Sequence, residues 1–149
     1  MTRAQNTPGS TSSTRPRWRV AVSVVALLFG LATIKSGGSV LFIDGADRAA
    51  AGDYVPFVLW FNFLAGFVYI VTAIGIFMWK AWSSKMAMAL AALSVLVFAA
   101  LGVHIAMGGA FEMRTVYAMT LRSFVWVTFA FLLLRAMRPS PHASSAPSA

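Results

Sequence analysis

The sequence predicts an all-α integral membrane protein, an antiparallel four-helix transmembrane bundle with disordered termini. Hydrophobic residues make up 59% of the chain and charged residues only 11%, whereas soluble domains contain roughly 25% charged residues. Four apolar stretches are each long enough to cross a hydrocarbon core about 30 Å thick. Because the connections between the stretches are short, neighbouring helices are expected to run antiparallel.

One transmembrane domain is expected over residues 20–134, between two tails. Its four predicted spans cover residues 20–43, 56–79, 86–109 and 116–134. Pro56 stands at the first position of the second span, where a helix tolerates proline. The tails, 1–19 and 135–149, contain Ser, Pro and basic residues without an apolar period. This composition is typical of disordered segments.

The first span has two interpretations. Lys35 and the small residues 36–39 interrupt its apolar stretch, so residues 20–34 resemble the apolar core of a cleavable signal peptide. Apolar residues resume at Val40, however, and the whole stretch is long enough to span a bilayer. We therefore favour an uncleaved transmembrane helix.

The distribution of Lys and Arg predicts the orientation in a bacterial inner membrane. One side of the bundle receives eight basic residues, namely Arg3, Arg15, Arg17, Arg19, Lys80, Lys85, Arg135 and Arg138. The other side receives two, Arg48 and Arg114. Basic residues accumulate on the cytoplasmic side, so both termini are expected in the cytoplasm.

Composition and motifs exclude several classes of function. The net charge of +8 comes largely from residues that flank apolar spans, where they contact anionic lipid rather than nucleic acid. The chain has no cysteine, which excludes disulfides, thiolate metal sites and cysteine nucleophiles. No phosphate-binding loop, catalytic triad or metal-ligand cluster is recognisable. No catalytic residue and no metal site are therefore predicted.

Each predicted span carries one strongly polar residue in its outer half. At a rise of ~1.5 Å per residue, Lys35, Asn62, His104 and Arg122 all fall on the side of the bilayer away from the termini. A charged residue near the bilayer centre costs ~2.5 to 3.5 kcal/mol, so these side chains are expected to face one another. The sequence thus predicts a polar pocket that opens outward.

Glu112 and Trp126 complete the predicted site. If the third span stays helical through its last glycines, His104 and Glu112 share a helix face. Trp126 follows Arg122 by one turn, so the guanidinium is expected to stack on the indole. Simpler roles remain open for these groups: Lys35 can extend to the outer headgroups, His104 can form an interfacial hydrogen bond, and Glu112 can pair with a loop arginine.

Small residues predict close helix contacts. Ala26, Gly30, Thr33 and Gly37 form a stripe on the first span, and Lys35 lies on another side of that helix.

The chain resembles the DoxX-like group of small four-helix bacterial membrane proteins. The resemblance covers the four spans and depends on Gly30 and Lys35, on Asn62 followed by spaced glycines, and on His104 late in the third span. Similar proteins often carry a glutamate at the position of Asn62, so the resemblance does not extend to an acid there. It implies a membrane protein linked to quinone or thiol redox stress, without a cofactor-binding motif common to the group.

Three functions are compatible with this arrangement. The first is an accessory, non-catalytic protein whose pocket binds a lipophilic or anionic ligand such as a quinone. Lys35 and Arg122 would bind the oxygens of the ligand. Asn62 and His104 would donate hydrogen bonds, and Glu112 would hold the basic groups in place.

The second function is a small oligomeric transporter or proton-coupled carrier, in which His104 and Glu112 would titrate. The third is a structural or assembly partner of a membrane complex, which would use its small-residue stripes as the interface. The expected partners are the lipid bilayer and either another membrane protein or a second copy of the chain. Nucleic acid is not expected.

Overall fold

The computed structural model describes residues 17–43 and 45–137. Within these ranges the chain is helical and contains no strand. Its helices are α1 (Trp18–Phe42), α2 (Ala46–Ala50), α3 (Pro56–Phe77), α4 (Ala81–Ala106) and α5 (Met113–Ala136). All except α2 are long and apolar enough to cross a membrane. The predicted all-α class with four long apolar helices is therefore confirmed in these ranges, whereas most of the two predicted tails lies outside them.

Three of the four long helices begin ahead of the predicted spans. α1 begins at Trp18 and α4 begins at Ala81, ahead of the predicted spans. Hydropathy marks only the apolar part of a helix, whereas the backbone can stay helical into a polar flank. Ser83 and Ser84 in the first turn of α4 are buried, and their hydroxyls donate to the carbonyls of Lys80 and Ala81 at 2.7 and 2.8 Å. These bonds within the helix satisfy the two hydroxyl groups.

α4 ends at Ala106, before the predicted limit of the third span. Gly108 has a φ of +82°. The N–H groups of Gly108 and Gly109 donate to the carbonyls of Ile105 and His104 at 2.9 and 3.0 Å. This is the Schellman arrangement that closes a helix at a left-handed glycine. The third span therefore does not stay helical through its last two glycines.

α3 ends with the same geometry at a residue that is not glycine. Trp79 has a φ of +57°, a conformation that bulky side chains rarely adopt. The N–H groups of Trp79 and Lys80 donate to the carbonyls of Ile76 and Gly75 at 3.0 and 2.9 Å. The Trp79 ring packs edge-on against Trp18, with ring centroids 5.8 Å apart. The start of α1 thus lies beside the end of α3.

The small-residue stripe of α1 is a helix contact, as predicted. Ala26, Gly30, Thr33 and Gly37 are all buried. A Cβ atom on Gly30 would lie 2.9 Å from the carbonyl oxygen of Gly66 in α3. Only glycine permits this approach of the two backbones.

The helices pack in the order α1, α3, α4, α5. α1 packs on α3, α3 on α4 and α4 on α5, whereas α1 and α5 form no comparable interface. A large apolar cluster joins the helices around Tyr69 and Trp126, and a smaller one surrounds Leu101 and Met119. These four side chains are fully buried. The packing of the four long helices is therefore least extensive between α1 and α5.

Candidate functional site

A cavity of about 640 Å³ lies between α1, α2, α3 and α5. We call it the central cavity. Among the residues that the structure describes, its charged lining consists of Lys35, Asp47, Arg114 and Arg122, and its uncharged polar lining includes Asn62. The described part of α4 contributes no residue to this wall. The described wall thus carries three cations and one acid, a balance that favours an anionic or electron-rich group.

Arg122 of α5 is the most buried charged group of the cavity. Its side chain is only 6% exposed. Nη2 donates to the hydroxyl of Thr33 in α1 at 3.2 Å, and Nη1 lies 3.7 Å from the sulfur of Met119. The guanidinium carbon lies 5.6 Å from the ring centroid of Phe29 and 5.9 Å from that of Tyr69. Two aromatic faces and one hydroxyl thus surround the cation.

The Arg122 guanidinium has no carboxylate partner among the described residues. Its hydrogen bonds reach one hydroxyl and one sulfur, and its Nε has no acceptor there. Cation–π contacts compensate only part of the cost of removing a guanidinium from water. An acceptor from a ligand in the central cavity would complete its coordination.

Two more predicted residues line the same cavity. Lys35 is exposed on α1 and lies off the helix face that packs on α3. Asn62 of α3 is half-buried, and within the described part of the chain its buried Oδ1 has no hydrogen-bond partner. The structure therefore brings together Lys35, Asn62 and Arg122, one polar side chain from each of three helices.

Trp126 has a different place from the predicted one. It is fully buried in the core and does not line the central cavity. Its ring packs against Tyr69 and Phe129, with centroid distances of 4.6 and 5.7 Å. The predicted stacking of the Arg122 guanidinium on this indole is wrong, because Phe29 and Tyr69 occupy that position. Trp126 contacts the site indirectly, because its ring packs on Tyr69, which in turn lies beside the Arg122 guanidinium.

His104 does not line the central cavity. It belongs to the last turn of α4, and its Nε2 lies 3.1 Å from the carbonyl oxygen of Ala110. The imidazole also packs against Gly109. The ring of Phe57 contacts it edge-on, with ring centroids 6.2 Å apart. The His104 side chain therefore holds the turn that follows α4. Of the four polar residues that were predicted to face one another, His104 therefore lies apart from the other three.

Glu112 also lies outside the cavity wall. Because α4 ends at Ala106, Glu112 precedes α5 and does not share a helix face with His104. Its Oε1 accepts a hydrogen bond of 3.2 Å from the backbone N–H of Asp53. The carboxylate also lies close to Gly52, whose φ is +56°. Glu112 thus fastens the linker between α2 and α3 to the start of α5, rather than holding basic groups.

Three residues of the site were not predicted. Arg114 lines the cavity from α5, and its spacing from Arg122 through Ala118 at i, i+4 and i+8 marks one helix face. Tyr69 follows Asn62 by two turns and lies on the same side of α3. Asp47 comes from the short helix α2, and no pattern in the sequence places α2 over the cavity.

No group of three or more His, Asp or Glu residues in the described ranges could hold a metal ion. Comparison with protein-family models, with curated proteins and with solved structures found no match for this chain.

Proposed function

We propose that the chain is an integral protein of the bacterial inner membrane, an antiparallel four-helix bundle with both termini in the cytoplasm. Large apolar side chains such as Leu28 and Phe124 are 60% and 70% exposed, which suits contact with lipid. The Arg19 guanidinium in α1 donates to the carbonyl of Phe77 at the end of α3. This contact supports a common basic surface for these two helix ends, as the Lys and Arg distribution predicts.

Within that bundle, the central cavity binds a lipophilic ligand with an electron-rich or anionic head group, and a quinone is the first candidate. The observation that carries this proposal is the environment of Arg122. Its guanidinium is buried at the cavity wall, has no carboxylate among its described contacts, and keeps Nε free of an acceptor there. A buried cation of this kind is costly unless a further partner satisfies it.

The other polar residues suit the same head group. Lys35 and Arg114 add two cations to the wall, and each can donate to a carbonyl or an oxyanion. The amide of Asn62 both donates and accepts, so it suits a carbonyl oxygen as well as a hydroxyl. A quinone and its reduced form present these two groups.

The proposed role is accessory rather than catalytic. The resemblance to the DoxX-like group, in Gly30, Lys35, Asn62 and His104, supports a link to quinone or thiol redox stress. Another membrane protein would then carry out the electron transfer, and this chain would bind it either alone or as an oligomer with a second copy of itself.

The carrier hypothesis has less support, because it requires His104 and Glu112 to titrate along a path. Both side chains contact loop backbone instead, at Ala110 and Asp53. The hypothesis of an assembly partner has the small-residue stripe as its interface, but Gly30 already packs on Gly66 within the chain. We therefore place the ligand-binding proposal first.

A titration of the purified protein in lipid nanodiscs with a quinone analogue tests the proposal. Arg122→Leu removes the buried donor, and we expect affinity to fall by about ten- to a hundredfold, the usual loss for a hydrogen bond from a charged group. Arg122→Lys keeps the charge but loses the planar guanidinium. Its quinone affinity should lie between that of the wild type and that of Arg122→Leu.

Arg135→Leu is the matched control, since Arg135 is exposed in the last turn of the same helix and does not line the cavity. Circular dichroism should show equal helix content in all four proteins. If Arg122→Leu binds the quinone as tightly as Arg135→Leu does, the proposal is wrong.

A further inference from the structure

A second opening lies beside the central cavity, between α1 and α5. This lateral cleft has a volume of about 270 Å³. Phe29 and Leu121 line the cleft but not the central cavity. All its other lining residues also line the central cavity, and Ala118 and Arg122 are among them. The two spaces therefore adjoin along these shared residues.

The cleft and the cavity differ in chemistry. In the cleft, Phe29 and Leu121 present an aromatic ring and a branched aliphatic chain, and Arg122 is the only charged residue that lines it within 17–43 and 45–137. The central cavity, in contrast, adds Lys35 and Arg114. A polar compartment thus adjoins a largely apolar one, with the buried cation between them.

The cleft also faces the direction from which lipid-like molecules arrive. α1 and α5 form no interface comparable to those of the other neighbouring helices, and Leu121 and Ala118 at the edge of the cleft are exposed. On a bundle that spans a membrane, this edge lies against hydrocarbon. A chain that occupies the cleft can continue into the bilayer without crossing a polar surface.

We propose that the lateral cleft holds the hydrocarbon chain of the ligand, whose head group binds in the central cavity, and that the ligand enters sideways from the bilayer. The ligand class is accordingly a chain-bearing amphiphile rather than a water-soluble anion. This inference rests on the proposed function, since it assigns the second half of the same ligand. The hydrocarbon chain gains little energy by leaving lipid for the cleft. The cleft therefore contributes by admitting the ligand and by leaving room for its chain.

Blocking the cleft tests the inference. Leu121→Trp enlarges a residue that lines only the cleft, and Leu96→Trp makes the same change at an exposed position of α4 that lines neither space. Two probes are titrated, a benzoquinone with a long alkyl chain and the same benzoquinone with a methyl group instead. We expect Leu121→Trp to weaken binding of the long-chain quinone by about tenfold or more through steric exclusion, and to leave the methyl quinone unchanged.

The control Leu96→Trp should bind both probes like the wild type. Equal binding of the long-chain quinone to the two tryptophan variants would overturn the inference and leave the proposed function standing. Failure of the wild type to bind either quinone would overturn both.

Photolabelling of the wild type gives a second measurement that does not depend on the folding of a variant. A long-chain benzoquinone with a diazirine on its chain should label Phe29 and Leu121. Labels spread evenly over lipid-exposed residues of all four long helices, or concentrated near Leu96, would contradict a chain seated between α1 and α5.

Discussion

The Nη2 of Arg122 donates a hydrogen bond of 3.2 Å to the Oγ1 of Thr33, and this bond joins α5 to α1 where the two helices otherwise form no large interface. Thr33 is buried and belongs to the small-residue stripe of α1, so the residue that binds the buried cation lies one turn from the close contact of Gly30 with α3. The bond also marks the boundary between the central cavity and the lateral cleft, because both residues line both spaces.

Thr33→Val removes the hydroxyl and nearly preserves the side-chain volume. We expect a loss of about 1 to 3 kcal/mol of stability, because Arg122 then loses its only oxygen acceptor among the described residues. Thr33→Ser keeps the acceptor and should stay close to the wild type. Thermal unfolding in detergent measures both, and equal melting of the Val and Ser variants would show that the bond contributes nothing.

Gly30→Ala should separate α1 from α3. The added Cβ would lie 2.9 Å from the carbonyl oxygen of Gly66, a backbone atom that cannot move aside alone. We expect destabilisation of about 1 to 3 kcal/mol, the usual cost of overpacking. Gly102→Ala is the control, since nothing lies within 4 Å of its added Cβ. The result is read from denaturation in mixed micelles, and similar stability of the two variants would contradict a close contact at Gly30.

His104→Ala tests whether His104 belongs to the ligand site. Its Nε2 contacts the carbonyl of Ala110, and it does not line the central cavity. We expect a stability loss of about 0.5 to 1.5 kcal/mol, the net value of one hydrogen bond, with unchanged quinone affinity. A fall in affinity with intact helix content would return His104 to the site, as the sequence alone suggested.

The four long helices and the close contact of α1 with α3 at Gly30 were predictable from the sequence, because each depends on a local pattern. Apolar stretches long enough to span a bilayer identified the four long helices, and small residues at helical spacing identified the face containing Gly30. Lys35, Asn62 and Arg122 line one cavity, and the sequence placed each of them in the same half of its span. In each case a property of one helix was sufficient.

The remaining features depend on how different helices meet. The end of α4 is set by the left-handed conformation of Gly108, whereas glycine is also common inside transmembrane helices, so the pattern left His104 and Glu112 on one face. Trp126 lies one turn after Arg122, but Tyr69 of another helix occupies the place beside the guanidinium. Neither relationship is contained in the spacing of a single segment.

Asn62→Asp places a carboxylate in the central cavity. The cavity wall already holds three cations, among them Lys35 and Arg122. We expect the new carboxylate to attract these cations and to repel an electron-rich head group, so quinone affinity should fall by about tenfold, the effect of about 1.4 kcal/mol. Thermal stability should stay close to that of the wild type, because the attraction to the cations is offset by the cost of removing a carboxylate from water.

Asn62→Ala separates loss of the amide from the effect of charge. If the two variants lose affinity equally, the amide itself binds the head group and the electrostatic argument fails. If Asn62→Asp binds the quinone as well as the wild type does, the cations of the cavity do not select for electron-rich oxygens. The same titration at two salt concentrations adds a further check, since exposed Lys35 is screened by salt whereas buried Arg122 is screened much less. The part of the affinity that survives high salt should therefore be the part that Arg122→Leu removes.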